Sequence, residues 1–97
     1  MLHIINCFPI SPSFLDNTHY GDSVIFTDNA VFAAKQSSIE TKSLSQKEFN
    51  HIKLYVRKVD LLIRDIPNKE LYRGVVIIDD MQYENAISQD FAIKSCN

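Results

Sequence analysis

Short apolar runs separated by polar turns organise this chain, and the pattern is most complete at Gly21-Asp22-Ser23-Val24-Ile25-Phe26-Thr27-Asp28-Asn29-Ala30-Val31-Phe32-Ala33-Ala34. Gly21-Asp22 is a turn signal, because glycine reaches backbone angles that other residues avoid. Val24-Ile25-Phe26 has the branched and aromatic side chains of a strand buried on both faces. Thr27, Asp28 and Asn29 are capping types, whose side-chain oxygens accept the free N–H groups of a first helical turn. Ala30, Ala33 and Ala34, with Val31 and Phe32, suit a short helix packed closely on the sheet. Strand, polar turn and packed helix make half of a β-α-β unit. In open α/β sheets sites gather at the carboxyl ends of strands, so Thr27–Asn29 marks the expected functional edge.

The same grammar extends in both directions. Leu2–Phe8 reads as a first strand with apolar residues on both faces, and hence an interior one. Pro9 stops it, and Ser11-Pro12 then has the form of a helix start, with Phe14-Leu15 as the apolar pair of a short helix. Lys35–Asn50 is polar and serine-rich. Within it, Ser45-Gln46-Lys47-Glu48 has capping-box spacing, with Leu44 and Phe49 placed as a hydrophobic staple. A second short helix or an irregular connection is expected there. His51–Val56 alternates with period two, placing Ile52, Leu54 and Val56 on one strand face. Val59, Leu62, Ile63 and Ile66 recur at helical spacing before Pro67, with Asp60 in the first turn, where the helix dipole favours it.

Gly74 opens Val75-Val76-Ile77-Ile78, the strongest strand signal in the chain and the one expected at the sheet centre. Asp79-Asp80 ends that run and can cap a helix on which Tyr83, Ala86 and Ile87 share a face. Phe91 and Ile93 continue as a final short strand or a packed tail. Alternating strands and helices predict a three-layer α/β fold. Its sheet is mostly parallel, four- to five-stranded and covered by helices on both faces. Residues 1–97 form one domain, with no internal repeat.

Composition narrows the function more than the fold. With 45% apolar and 23% charged residues, the 97-residue chain has the make-up of an ordinary globular domain. A net charge of −2 without a local Lys/Arg cluster argues against a nucleic-acid face. No stretch approaches the roughly 20 apolar residues of a membrane helix, and the N-terminus lacks the pattern of a secretory signal. Cys7 and Cys96 form no disulfide framework by count, so a reducing cytoplasm is the expected setting.

Candidates for chemistry are few. Cys7, inside the expected first strand with His3 on the same face, reads as a small buried hydrophobe. Cys96 is penultimate on Lys94-Ser95-Cys96-Asn97. A thiol on a mobile end can carry sulfur as a persulfide, with Lys94 favouring its thiolate; the plainer reading is an incidental tail cysteine. His3, His19, His51, Cys7 and Cys96 lack the close ligand pairs of a structural zinc site, so no metal is expected. Asp28, Asp79 and Asp80 all fall at strand ends, where they can hold Mg²⁺ or cap helices; capping is the simpler role. Neither glycine belongs to a Gly-rich loop, no G-x-S-x-G elbow is present, and no cofactor is implied. Phe26, Phe32, Tyr55, Leu61, Tyr72, Tyr83 and Phe91 exceed the needs of one small face. Most are expected in the core and some at a subunit interface.

Several of these stretches together resemble the TusB/DsrH family. They are Met1-Leu2-His3-Ile4-Ile5, Gly21-Asp22 leading into Val24-Ile25-Phe26, and the Asp28–Ala34 turn. Lys53–Val56, Asp60–Arg64 and Val75–Asp79 follow in the same order. The resemblance implies a DsrEFH-like fold and a subunit of a cytoplasmic sulfur-relay complex. In its Tus branch TusB, TusC and TusD form a heterohexamer. That complex passes persulfide sulfur from TusA toward TusE and a tRNA thiouridylase, giving 2-thiouridine at the tRNA wobble position. In its Dsr branch similar subunits serve sulfur oxidation. The sulfur-carrying cysteine belongs to the TusD/DsrE-type subunit, and TusB-like chains are mainly structural partners. Some DsrH-type members carry a cysteine in the first helix, where this chain has Asn17-Thr18-His19. The reading is therefore a non-catalytic subunit beside TusC-like and TusD-like sisters, its strand-end edge formed by Thr27, Asp28, Asn29, Asp79 and Asp80. The alternative from another class is a sulfur carrier using Cys96.

Overall fold

The computed structural model describes residues 1–10, 18–37, 51–90 and 92–95. Its strands are β1 (Leu2–Ile5), β2 (Ser23–Phe26), β3 (Lys53–Arg57), β4 (Val75–Ile78) and β5 (Ala92–Ser95). All are parallel, in the order β4-β3-β2-β1-β5. A 3-10 helix at Asp28–Ala34 follows β2, and α1 (Lys58–Ile63) follows β3. A 3-10 turn at Asn68–Glu70 precedes β4, and α2 (Asp80–Gln89) follows it. The Ser11-Pro12 helix start, the Ser45–Glu48 capping box, Phe91 and Cys96 lie outside the described residues.

The strands lie where the apolar runs placed them; β1 and β2 are buried on both faces, as a pleat covered on both sides is, while β3 and β4 are buried only in part. The register sets Leu2 opposite Ser23 and Ile5 opposite Phe26, then Ser23 opposite Lys53 and Phe26 opposite Val56. Alternate side chains therefore supply two cores. The larger gathers Ile5, Val24, Phe26, Leu54 and Val56 from the strands against Ala30, Val31, Ala33 and Ala34 of the 3-10 helix, with Leu61 and Ile66 from the α1 side. The smaller holds Leu2, Ile4, Ile25 and Ile78 beneath Tyr83, Ala86 and Ile87 of α2. Helices on the two faces of one sheet give the expected three-layer α/β fold. The turn before β2 uses Gly21 at φ 84°, a backbone state that glycine adopts without strain.

Two expectations are corrected. β4 is an edge strand, paired only with β3, and not the centre of the sheet. Its four-residue apolar run packs Val75 and Ile77 against the larger core and Ile78 against the smaller one but leaves Val76 in solvent, a difference that composition does not show. β1, by contrast, is interior, between β2 and β5. Cys7 is the second correction. β1 ends at Ile5, so Cys7 lies beyond the strand, where it is half-buried and disulfide-bonded rather than a buried thiol, which also runs against the expectation that the two cysteines form no disulfide.

Candidate functional site

The carboxyl ends of β2, β3 and β4 bring a charged cluster to one edge of the sheet. Thr27, just past β2, is buried, and both its backbone N–H (2.9 Å) and its hydroxyl (3.2 Å) donate to the Ile5 carbonyl. It clasps β2 to β1 and does not cap the helix that follows. The chain then turns at Asp28, whose φ of 50° is a left-handed state that aspartate tolerates better than most residues. Asp28 and Asn29 are exposed at the start of the 3-10 helix.

Asn29 meets α1 there. Its Oδ1 accepts from Arg64 Nε at 3.0 Å, while Arg64 Nη1 donates to the Asp60 carbonyl (3.3 Å) and to Asp60 Oδ1 (3.4 Å). Asp60 is 3% exposed, and its Oδ2 has no partner among the described residues. At the end of β3, Arg57 stacks 4.7 Å over the Tyr83 ring and pairs through Nη2 with Asp80 at 3.3 Å. Arg57 Nε is likewise buried without a partner among the described residues. Asp79 caps α2: its Oδ1 accepts from Gln82 N at 2.8 Å, and Gln82 Oε1 accepts from Asp79 N at 2.9 Å. Burial pushes the Tyr83 hydroxyl up, against the opposing pull of Arg57; Glu84, Asp28 and Asp60 push in the same direction as burial.

Of the residues singled out in the sequence, Asp28 and Asn29 stand with Asp80 around this edge, Thr27 serves as a clasp, and Asp79 does cap a helix. Asp28, Asp79 and Asp80 make no metal site: among the described residues no group of three His, Cys, Asp or Glu side chains is placed to hold an ion. Sequence reasoning gave Arg57 and Arg64 no role at the site and named Tyr83 only among the aromatics of core or interface. The spacing of Asp60 and Arg64, four residues apart on a helix, was the available signal. Among the described residues the cluster holds guanidinium, carboxylate, carboxamide and phenol groups, with no thiol or imidazole. It can recognise a polar partner, but it contains no nucleophile paired with a base.

A separate cleft of about 570 Å³ opens over the other sheet face, between Leu2, Ile25 and Tyr55 on its floor and Gln82, Asn85 and Gln89 of α2. It meets the charged edge at Gln82, whose side chain also accepts from Asp79 N.

The model of the DsrH like protein family matches residues 10–89. The chain belongs to the DsrH-like family. That family is one of sulfur-relay subunits, which work with partner subunits, and this is the class of function that membership supports. No curated protein matches the chain. Among solved structures, the ychN protein from E. coli is similar at 11% identity and TM-score 0.78, covering 97% of each chain. A protein of unknown function from Methanobacterium thermoautotrophicum, MTH1491, is similar at 12% identity and TM-score 0.77, covering 97% of this chain and 96% of that one. At such identities the two structures establish the shared fold of this DsrH-like chain. Its described residues contain no helix long and apolar enough to cross a membrane.

Proposed function

We propose that this chain is a non-catalytic subunit of a cytoplasmic TusBCD-type sulfur-relay complex, supporting 2-thiolation of the tRNA wobble uridine. It would sit in a heterohexamer beside TusC-like and TusD-like sisters, one of which carries the reactive cysteine. The observation that carries this reading is the DsrH-like match over residues 10–89, set on a fold that spans nearly the whole chain. Two features support a role in assembly. Among the described residues, the charged strand-end edge offers hydrogen-bonding groups without a nucleophile. Apolar side chains also stand in solvent on the helices, with Leu62 68%, Ile63 71% and Met81 74% exposed.

The test is removal of the chain from its native cells, followed by mass spectrometry of tRNA nucleosides and identification of what co-purifies with a tagged copy. Loss of 2-thiouridine, together with recovery of two sister subunits, is the expected result. Unchanged 2-thiouridine with impaired sulfur oxidation would move the chain to the Dsr branch. Recovery of the chain alone would overturn the subunit reading.

A further inference from the structure

The outer edge of β4 is open. The strand Val75-Val76-Ile77-Ile78 pairs with β3 on one side and with no strand on the other among the described residues. Exposed sheet edges are ordinarily blunted by proline, lysine or an inward charge, because their free N–H and C=O groups template further pairing. This strand has none of those devices, and Val76 at its middle is 54% exposed.

We propose that β4 is the interface between two copies of this chain, whose sheets join edge to edge in antiparallel fashion about a two-fold axis at Val76. The axis stands perpendicular to the joined sheet, so facing residues must lie on the same face and differ by an even number of positions. Centring on Val76 sets Val75 opposite the partner's Ile77, both on the face that packs against the larger core. It also sets Arg73 opposite the partner's Asp79, twice by symmetry. Both residues are exposed. Arg73 makes no hydrogen bond or ion pair among the described residues, and Asp79 spends one oxygen on its α2 cap, leaving the other for a guanidinium. A shift of the axis to Ile77 would set Val75 against the partner's Asp79, an apolar side chain against a carboxylate. A shift to Val75 would set Arg73 against the partner's Ile77. Charge and apolar pattern agree only at Val76. The edge is complementary to itself, and that selects a second copy over an unrelated strand. This inference goes beyond the sulfur-relay reading and does not rest on it.

The test uses the full chain in sedimentation equilibrium. The wild type is expected to dimerise. Val76→Cys is expected to give a disulfide-linked dimer under mild oxidation, whereas Leu62→Cys, at a more exposed position on α1, gives none. Arg73→Glu faces two pairs of carboxylates across the axis and is expected to weaken association roughly tenfold. Adding Asp79→Asn removes that repulsion while keeping the cap, since asparagine caps as well as aspartate, and is expected to restore part of the affinity. Circular dichroism checks that each variant is folded. A monomer at every concentration, a dimer indifferent to Arg73→Glu, or a failure of Val76→Cys to cross-link would each overturn the proposal.

Discussion

His3 donates from Nε2 to Oδ2 of Asp22 at 2.9 Å, and the bond joins the start of β1 to the turn before β2 inside the protein, where both residues are buried. Asp22 collects further donors: the His19 backbone N–H at 2.9 Å and the N-terminal ammonium at 3.2 Å. Its own carbonyl accepts from Lys53 N at 2.9 Å, so this one residue fastens the amino ends of β1, β2 and β3. The Met-Leu-His opening and the Gly-Asp turn, which carried the family resemblance as two separate motifs, are thus the two halves of one contact.

Burial alone would raise the Asp22 carboxyl. The hydrogen bonds from His3, from the His19 backbone and from the N-terminus outweigh it and hold the group at about 2, against an ordinary 3.8. A carboxyl whose folded value is depressed stabilises the fold above its unfolded value and loses that contribution as pH falls through the folded one. Stability to urea should therefore be at its plateau above the ordinary 3.8 and should fall as pH approaches about 2. Asp22→Asn should remove about 1.5–3 kcal/mol at neutral pH, the range for a hydrogen bond to a charged group, and should flatten that acid limb. An acid limb unchanged in the variant would show that Asp22 is not its source.

Close packing of the 3-10 helix on the sheet gives a second expectation. Ala30, Ala33 and Ala34 have no exposed surface, and they lie against the strand residues of the larger core. Ala33→Leu adds volume where none is free, so it should cost about 1–3 kcal/mol. In a domain of this size each kcal/mol lowers the thermal midpoint by about 4–8 °C. Calorimetry would detect the loss, and an unchanged midpoint would mean that the helix can lift from the sheet.

Arg64 offers a third. Its partner Asp60 is buried, so Arg64→Ala strands a carboxylate away from water instead of losing an exposed pair. The expected cost is about 1–3 kcal/mol, well above the roughly 0.3–0.5 kcal/mol of a solvent-exposed pair at the same helix spacing. Asp60→Asn/Arg64→Ala should recover part of the loss, because the amide carries no charge to leave unpaired. Urea titrations of the single and double variants separate the two cases.

The strands were legible because Val24-Ile25-Phe26 and Val75–Ile78 are unbroken apolar runs bounded by turn and capping residues, and the Asp79 cap was legible because an aspartate between a strand and a helical pattern is a capping type. Position within the sheet was not. An apolar run does not reveal which of its side chains stays in solvent, as Val76 does, and β4 was misplaced for that reason. Thr27 was misread in a different way. A threonine hydroxyl after a strand can accept from an N–H of the helix that follows or donate to a carbonyl on the neighbouring strand, and Ile5 is far away in sequence. The guanidinium part of the strand-end edge was hidden by the same distance. Arg57 acquires its meaning from Tyr83 and Asp80, which only the parallel β3–β4 pairing brings beside it.

Cys96 provides the functional test of a scaffold against a carrier. A carrier must present a thiolate that attacks a donor persulfide, and serine has no sulfur with which to do so. If the chain shapes a complex around a sister subunit's cysteine, Cys96→Ser should leave tRNA 2-thiouridine at its wild-type level in cells where this copy is the only one. If the chain passes sulfur through its own tail, the same substitution should abolish the modification while co-purification of the sister subunits persists. The two measurements together separate a lost carrier from a lost assembly, because unfolding or dissociation would remove both signals at once. We expect both to be retained although the substitution also frees Cys7 from its disulfide, since the strand-end edge and the exposed helix faces are what this subunit offers its neighbours.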